Sequence, residues 1–156
     1  MTVEPDVSPN TRCKTARRSK GAINVKYILM MNTMKADCPA FPGWSKKDIQ
    51  NHIAFMKNLN KGLRENGELV GCEGLSFPDQ AKLVRAGKNG EPITDGVFPE
   101  TKEFLAGYWI IDVDSPERAY AIAARASAAP GANGEPLNMP IEVRPVMSGP
   151  PDEYVA

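Results

Sequence analysis

The alternation of apolar and polar positions along the chain predicts four main strands, two helices and one short hairpin. Strand-like apolar runs occupy residues 25–31, 69–75, 105–113 and 141–146. Between the second and third runs, two shorter strand-like runs flank Asn89-Gly90, and Asn-Gly in that position is a strong hairpin signal. Pro145 cannot donate a ladder hydrogen bond, so we expect the last strand either to pair weakly at its end or to lie at an edge of the sheet.

Two segments have helical periodicity and carry residues that favour helix ends. Ser45, followed three residues later by Asp48, predicts an N-cap with a capping box. The apolar residues that recur at helical spacing after this cap are Ile49, Ile53, Phe55, Met56, Leu59 and Leu63. Asn66-Gly67 predicts the end of this helix. Ser115 and Pro116 begin a second helix, which is rich in alanine.

This order of elements predicts an α+β fold on the ferredoxin-like β-α-β-β-α-β plan, with an inserted hairpin. The two helices would cover one face of an antiparallel sheet. The other face would carry Tyr108, Ile110 and either Cys72 or Glu73. Because a bare apolar sheet face favours association, we expect a homodimer that buries this face.

Composition limits the classes of partner. With 156 residues, 42% of them hydrophobic and 24% charged, the chain is expected to form one globular domain. Lys+Arg and Asp+Glu are both 19, and this balance argues against nucleic-acid binding. No apolar run approaches the roughly 18 residues of a membrane helix. Cys13, Cys38 and Cys72 form no Cys-x-x-Cys pair, which predicts reduced thiols. Together with the missing membrane helix, this predicts a cytoplasmic location and no membrane partner.

Both ends of the chain differ from its body. Residues 1–24 contain five basic and two acidic side chains and few large apolar ones, which predicts a disordered basic tail. Two explanations of this segment stay open. Either it docks on an acidic partner, or Val25 is the biological first residue and the preceding start is wrongly assigned. Residues 25–148 would form the domain, and residues 149–156 a C-terminal tail.

His52 is the only histidine of the chain and lies on the first predicted helix, close to its apolar stripe. An imidazole normally titrates near neutral pH, which suits general acid–base chemistry. The alternative is a histidine at the helix edge that makes one structural hydrogen bond. A single histidine without a cysteine pair makes a transition-metal site improbable. Phosphate-binding and dinucleotide-binding glycine motifs are missing, so the sequence predicts no cofactor.

Residues 94–103 form a polar segment with a glycine, directly before the longest apolar strand, and are predicted to be a turn. A turn held by a rigid strand is a common place for binding and catalytic groups. Asp95-Gly96-Val97-Phe98, followed by the run Glu100-Thr101-Lys102-Glu103 and by Gly107-Tyr108, resembles the Asp-Gly-Pro-Phe signature of the YCII-related (DGPF) family. The resemblance extends over about residues 25–148. Val97 replaces the proline of the signature, which frees a torsion that proline would fix.

The resemblance implies a dimeric α/β barrel and a His–Asp acid–base pair formed by His52 and Asp95, in a cavity between the first helix and the sheet. It also implies that an unknown small molecule contacts residues of the turn and the following strand, namely Thr94, Gly96, Phe98, Thr101, Lys102 and Tyr108. The alternatives are an Asx-turn at Asp95, a solvated turn at residues 100–103 and core packing for Tyr108.

Three functions remain open from the sequence. The first is a small-molecule enzyme in which His52 and Asp95 transfer protons or activate water, since no nucleophile stands in a recognisable spacing. The second is a dimer that binds a small ligand without turning it over. The third is an accessory or regulatory module, because relatives of the resembled family are often encoded beside alternative sigma factors.

Overall fold

The computed structural model describes residues 24–34, 43–96, 103–147 and 149. The helices are α1 (Lys46–Glu65) and α2 (Pro116–Ser127). The strands are β1 (Val25–Met34), β2 (Leu69–Gly74), β3 (Lys82–Ala86), β4 (Pro92–Gly96), β5 (Glu103–Val113) and β6 (Ile141–Pro145). Short 3-10 turns occupy Pro78–Gln80 and Ala132–Gly134.

Four strands form one antiparallel sheet in the order β2-β5-β1-β6. With two helices, this α+β arrangement is compatible with a ferredoxin-like fold. The edge position predicted for the last strand is confirmed, because β6 is an outer strand of the sheet and Pro145 lies opposite Tyr27 of β1. Strands β3 and β4 form the predicted hairpin as a separate two-stranded sheet.

The core lies between the helices and one face of the four-stranded sheet. Leu29 of β1 is paired with Trp109 of β5 and Val143 of β6, so these three side chains share that face. The largest fully buried side chains are Leu29, Leu59, Leu63, Ile111 and Ile122, which come from the sheet and both helices. Burial of this apolar surface is the main force that holds the helices on the sheet.

The start of α1 follows the sequence prediction, whereas its buried stripe is shifted. Ser45 and Asp48 form the predicted capping box, and the side chain of Ser45 accepts from the backbone N–H of Asp48 at 3.1 Å. Ile53 is 45% exposed, so its place in the apolar stripe was predicted wrongly. Seven helical residues make nearly two turns, so His52 lies on the same face as buried Leu59, and Ile53 is about a third of a turn away.

The other face of the sheet is not covered by either helix. Ile28 is opposite Ile110, and Met30 is opposite Tyr108, so these four half-buried side chains form one apolar patch on the two central strands. Glu73 lies beside Tyr108 on this face, whereas Cys72 packs against the core, which decides between the two residues proposed from sequence. We call this surface the open face. In the described part of the chain, no helix is long and apolar enough to span a bilayer.

Candidate functional site

His52 is held by a backbone carbonyl from a distant part of the chain. Its Nδ1 atom lies 3.0 Å from the carbonyl oxygen of Pro130. A carbonyl oxygen can only accept, so Nδ1 carries a proton and donates it. In the neutral ring, Nε2 is therefore the atom with the lone pair, and it is the atom that can take up a proton or bind a ligand.

Trp44 packs against the imidazole ring of His52 on the side where α1 begins. The rings of Trp44 and His52 meet edge to face, with centroids 5.5 Å apart and planes at 74°. This T-shaped arrangement is a favourable geometry for two aromatic rings. Trp44 directly precedes the N-cap Ser45, so the capping box fixes the backbone that carries Trp44 next to the first turn of α1.

The Pro130 carbonyl belongs to a turn that is closed by its own backbone bonds. We call residues 130–135 the clamp turn. Gly131 N–H donates to Glu135 O at 2.7 Å, and Leu137 N–H donates to Ala129 O at 2.9 Å. Ala129 is fully buried, so the base of the turn is anchored in the core. The position of the Pro130 oxygen therefore follows from the conformation of the whole turn.

The clamp turn also contacts the first turn of α1. The pKa of the Asp48 carboxyl is lowered, first by the Ser45 hydroxyl and backbone N–H and further by the backbone N–H of Asn133. Asp48 and His52 are four residues apart and neighbours on the helix surface. Both residues therefore face the same turn, with Asp48 near Asn133 and with His52 bonded to Pro130.

Asp95 lies on a different element and has a different partner. It is a residue of β4, opposite Leu83 of β3, so the prediction of a turn is wrong for residues 94–96. The strand continues to Gly96 because the hairpin pairs as far as Lys82. The Asp95 carboxylate accepts from Nη2 of Arg85 at 2.7 Å, and the side chains are 51% and 72% exposed, respectively. The Nδ1 atom of His52 thus contacts the Pro130 oxygen, whereas the Asp95 carboxylate contacts Arg85.

The other predicted ligand-binding residues fall into three groups. Thr94 and Gly96 lie on β4, opposite Val84 and Lys82. Tyr108 lies on the open face, so the sheet separates it from α1 and His52. The remaining three, Phe98, Thr101 and Lys102, lie outside the described residues.

Sequence reasoning did not find Trp44 or Pro130 as neighbours of His52. Pro130 is 78 residues away from His52 in the chain, and it contributes a main-chain oxygen that no side-chain pattern reveals. Trp44 had a local signal, because an aromatic residue just before an N-cap can pack against the first helical turns.

One further feature lies away from these residues. A groove of about 300 Å³ runs between α2 and β6 and is lined by Tyr120, Ala123, Ala124, Ser127, Ile141 and Val143. None of the predicted site residues lines it. Within the described residues, no three His, Cys, Asp or Glu side chains lie close enough together to hold a metal ion.

Comparison with known proteins gives a family. A sequence model of the YCII-related domain matches residues 25–135, a range that includes His52, Asp95 and Pro130. The chain is also similar to an uncharacterized protein of Rhizobium meliloti (strain 1021), with 29% identity over 110 residues, which are 70% of this chain and 85% of the relative. The matched range begins at the first residue of β1 and covers most of the described fold. The chain therefore belongs to the family of YCII-related domains.

Proposed function

We propose that the protein acts on a small molecule by proton transfer at His52, with Nε2 as the atom that exchanges the proton. The hydrogen bond between Nδ1 and the Pro130 oxygen carries this proposal. A partner on one ring nitrogen fixes the tautomer and the ring orientation, which a general acid or base requires. In a Ser-His-Asp triad a carboxylate orients the imidazole ring, whereas here a neutral backbone carbonyl does so.

Asp95 is the second acid–base group in this proposal. Its carboxylate forms an exposed ion pair with Arg85 across the hairpin, so a substrate can reach both Asp95 and Arg85 from solvent. We expect the guanidinium to bind an anionic part of the substrate, while the carboxylate accepts or returns a proton. The reaction class that fits two such groups without a nucleophile is proton transfer or activation of water.

The decisive experiment uses two substitutions of His52 that differ in which ring nitrogen the new amide group replaces. In His52→Asn, the amide nitrogen stands near the position of Nδ1 and can still donate to Pro130, but the base at Nε2 is lost. In His52→Gln, the amide group reaches towards the position of Nε2 instead. Purified wild type is first screened against a metabolite library for turnover and for binding. We expect His52→Asn to abolish turnover at an unchanged melting temperature.

A matched pair of variants tests the role of the hairpin. Asp95→Asn removes the carboxylate, and Arg85→Met removes its partner while the carboxylate stays. A catalytic Asp95 requires Asp95→Asn to lose turnover more strongly than Arg85→Met does. Equal, small losses in both variants would mean that the pair only stabilises the hairpin, and full turnover in His52→Asn would refute the proposal for His52.

We also propose that the open face pairs with a second copy of the chain. The apolar patch of Ile28, Met30, Tyr108 and Ile110 supports this. Light scattering should then give twice the chain mass of 17.0 kDa.

Binding without turnover is the second candidate function, and the exposed Arg85–Asp95 pair beside Thr94 favours it. In that case a metabolite would bind to wild type and to His52→Asn with similar affinity, and neither protein would convert it. Ligand binding that depends on Asp95 or Arg85 but not on His52 would assign the site to the hairpin alone.

A further inference from the structure

The clamp turn has a backbone conformation that few residues adopt easily. Asn133 has φ +57° and Gly134 has φ +78°, so two consecutive residues are in the left-handed region. Glycine tolerates this region and asparagine is the non-glycine residue that visits it most readily, whereas a β-branched residue there is strained. The conformation of the turn thus depends on the residue types at these two positions.

The turn also leaves little space inside its loop. A Cβ atom added to Gly131 would lie 2.8 Å from Cδ2 of Leu137 and 3.2 Å from the backbone oxygen of Glu135. Gly131 is buried and donates to that same oxygen. A side chain at this position would therefore displace Leu137 or widen the loop, next to the Pro130 carbonyl that accepts the hydrogen bond from Nδ1 of His52.

We propose that the clamp turn, through the left-handed backbone of Asn133 and the close packing at Gly131, is the positioning element that fixes the tautomer of His52. The role of this tautomer in catalysis rests on the function proposed above. Asn133 does not touch the reacting atoms in this proposal. It acts through the Pro130 oxygen, and the contact of the turn with α1 keeps that oxygen within hydrogen-bond distance of Nδ1.

The tautomer of His52 can be measured without any substrate. His52 is the only histidine in the chain, so the ring ¹⁵N signals of labelled protein belong to one residue. We expect the neutral wild-type ring to carry its proton on Nδ1. Asn133→Val should shift the ratio of tautomers towards Nε2–H by about fivefold, which is the factor that one typical intramolecular hydrogen bond is worth.

Two further variants separate positioning from general loss of stability. Asn133→Gly preserves access to the left-handed region and should keep the wild-type tautomer. Asn138→Val places the same strained residue type at another position with positive φ, +50°, outside the clamp turn. It should lower stability and leave the tautomer unchanged. Should Asn133→Val fail to fold, Asn133→Ala imposes a milder strain and gives the same comparison.

The outcomes distinguish this inference from the proposed function. A wild-type tautomer of Nδ1–H that persists in both Asn133→Val and Asn133→Ala would overturn the positioning role, and the proposal for His52 would stand. Equal shifts in Asn133→Val and Asn138→Val would overturn it as well. If the tautomer responds as expected but His52→Asn retains turnover, the turn positions a histidine that is not catalytic, and the proposed function fails alone.

Discussion

The ion pair between Glu68 and Arg118 should contribute more to stability than any exposed pair of this protein. Glu68 lies just after α1, and Arg118 lies in the first turns of α2. Nε and Nη2 of Arg118 donate to the two carboxylate oxygens at 2.6 and 2.8 Å, and this bidentate geometry raises the pKa of the guanidinium. The pair therefore joins the end of one helix to the start of the other.

The magnitude follows from the exposure of the two side chains. Glu68 is 15% exposed and Arg118 is 34% exposed, so water screens this pair only in part. Exposed pairs contribute about 0.2–1 kcal/mol, and breaking a fully buried pair costs about 3–5 kcal/mol. We expect the coupling free energy between Glu68 and Arg118 to be about 2 kcal/mol, a value that lies between these two limits. For a chain of this length, a loss of that size lowers the melting temperature by about 4–8 °C.

A double-mutant cycle measures the coupling directly. Glu68→Gln, Arg118→Met and the double variant are unfolded with urea, and the pairwise term is taken from the four free energies of unfolding. The cycle is needed because Glu68 also accepts from Asn66 at 3.3 Å, a bond that Glu68→Gln alters as well. The matched control is the same cycle on Arg85 and Asp95, whose N–O distance is 2.7 Å but whose side chains are 72% and 51% exposed.

The control pair should couple by less than about 1 kcal/mol and weaken further in 1 M salt. Equal coupling free energies in the two cycles would refute the reasoning from exposure, since the two pairs have similar distances. A coupling below about 0.5 kcal/mol for Glu68 and Arg118 would refute it too, because desolvation would then offset the two charge-assisted bonds.

Three further predictions concern the helix start and the open face. Ser45→Ala should cost about 1 kcal/mol of stability in a urea titration, because α1 loses its N-cap. The pKa of Asp48 lies below its ordinary value of 3.8, chiefly because Ser45 donates to the carboxylate, so the stabilisation is present above pH 3.8 and is lost as pH falls through the lower, folded-state pKa. Asp48→Asn should remove this acid-dependent loss, and an unchanged acid transition would contradict it. Ile110→Glu should convert the proposed dimer to a 17.0 kDa monomer in light scattering, whereas Val84→Glu, an exposed apolar residue of the hairpin, should not.

The sequence predicts most of the fold because the fold depends on local patterns. The Ser45–Asp48 capping box, the Asn89-Gly90 hairpin and the edge strand with Pro145 each follow from a short motif, and each is present. Ile53 shows the limit of such patterns. Both Ile49 and Met56 are at helical spacing from it. However, the side of α1 that packs on the sheet is the one that carries His52, Met56 and Leu59.

The candidate site could be predicted only in part, for a physical reason. His52 was identified from its chemistry, but its partner is a carbonyl oxygen whose place depends on a turn 78 residues away. Every residue has such an oxygen, so the sequence carries no signal for it. Asp95 was identified from a family signature, and its actual partner Arg85 required the register of the hairpin, which brings residues 10 apart into contact.

The four-stranded sheet separates the two properties that we propose for this protein. His52 belongs to the helix-covered side, where Leu59 and Leu63 anchor α1, and Ile110 belongs to the open face. Successive side chains of a strand point to opposite faces, so a substitution at one face leaves the contacts of the other in place. Ile110→Glu should therefore break association and preserve the bond from His52 to Pro130, and Asn133→Val should do the reverse. A change of tautomer in Ile110→Glu would mean that the backbone of β5 couples the two faces, and association would then be a step in assembling the site.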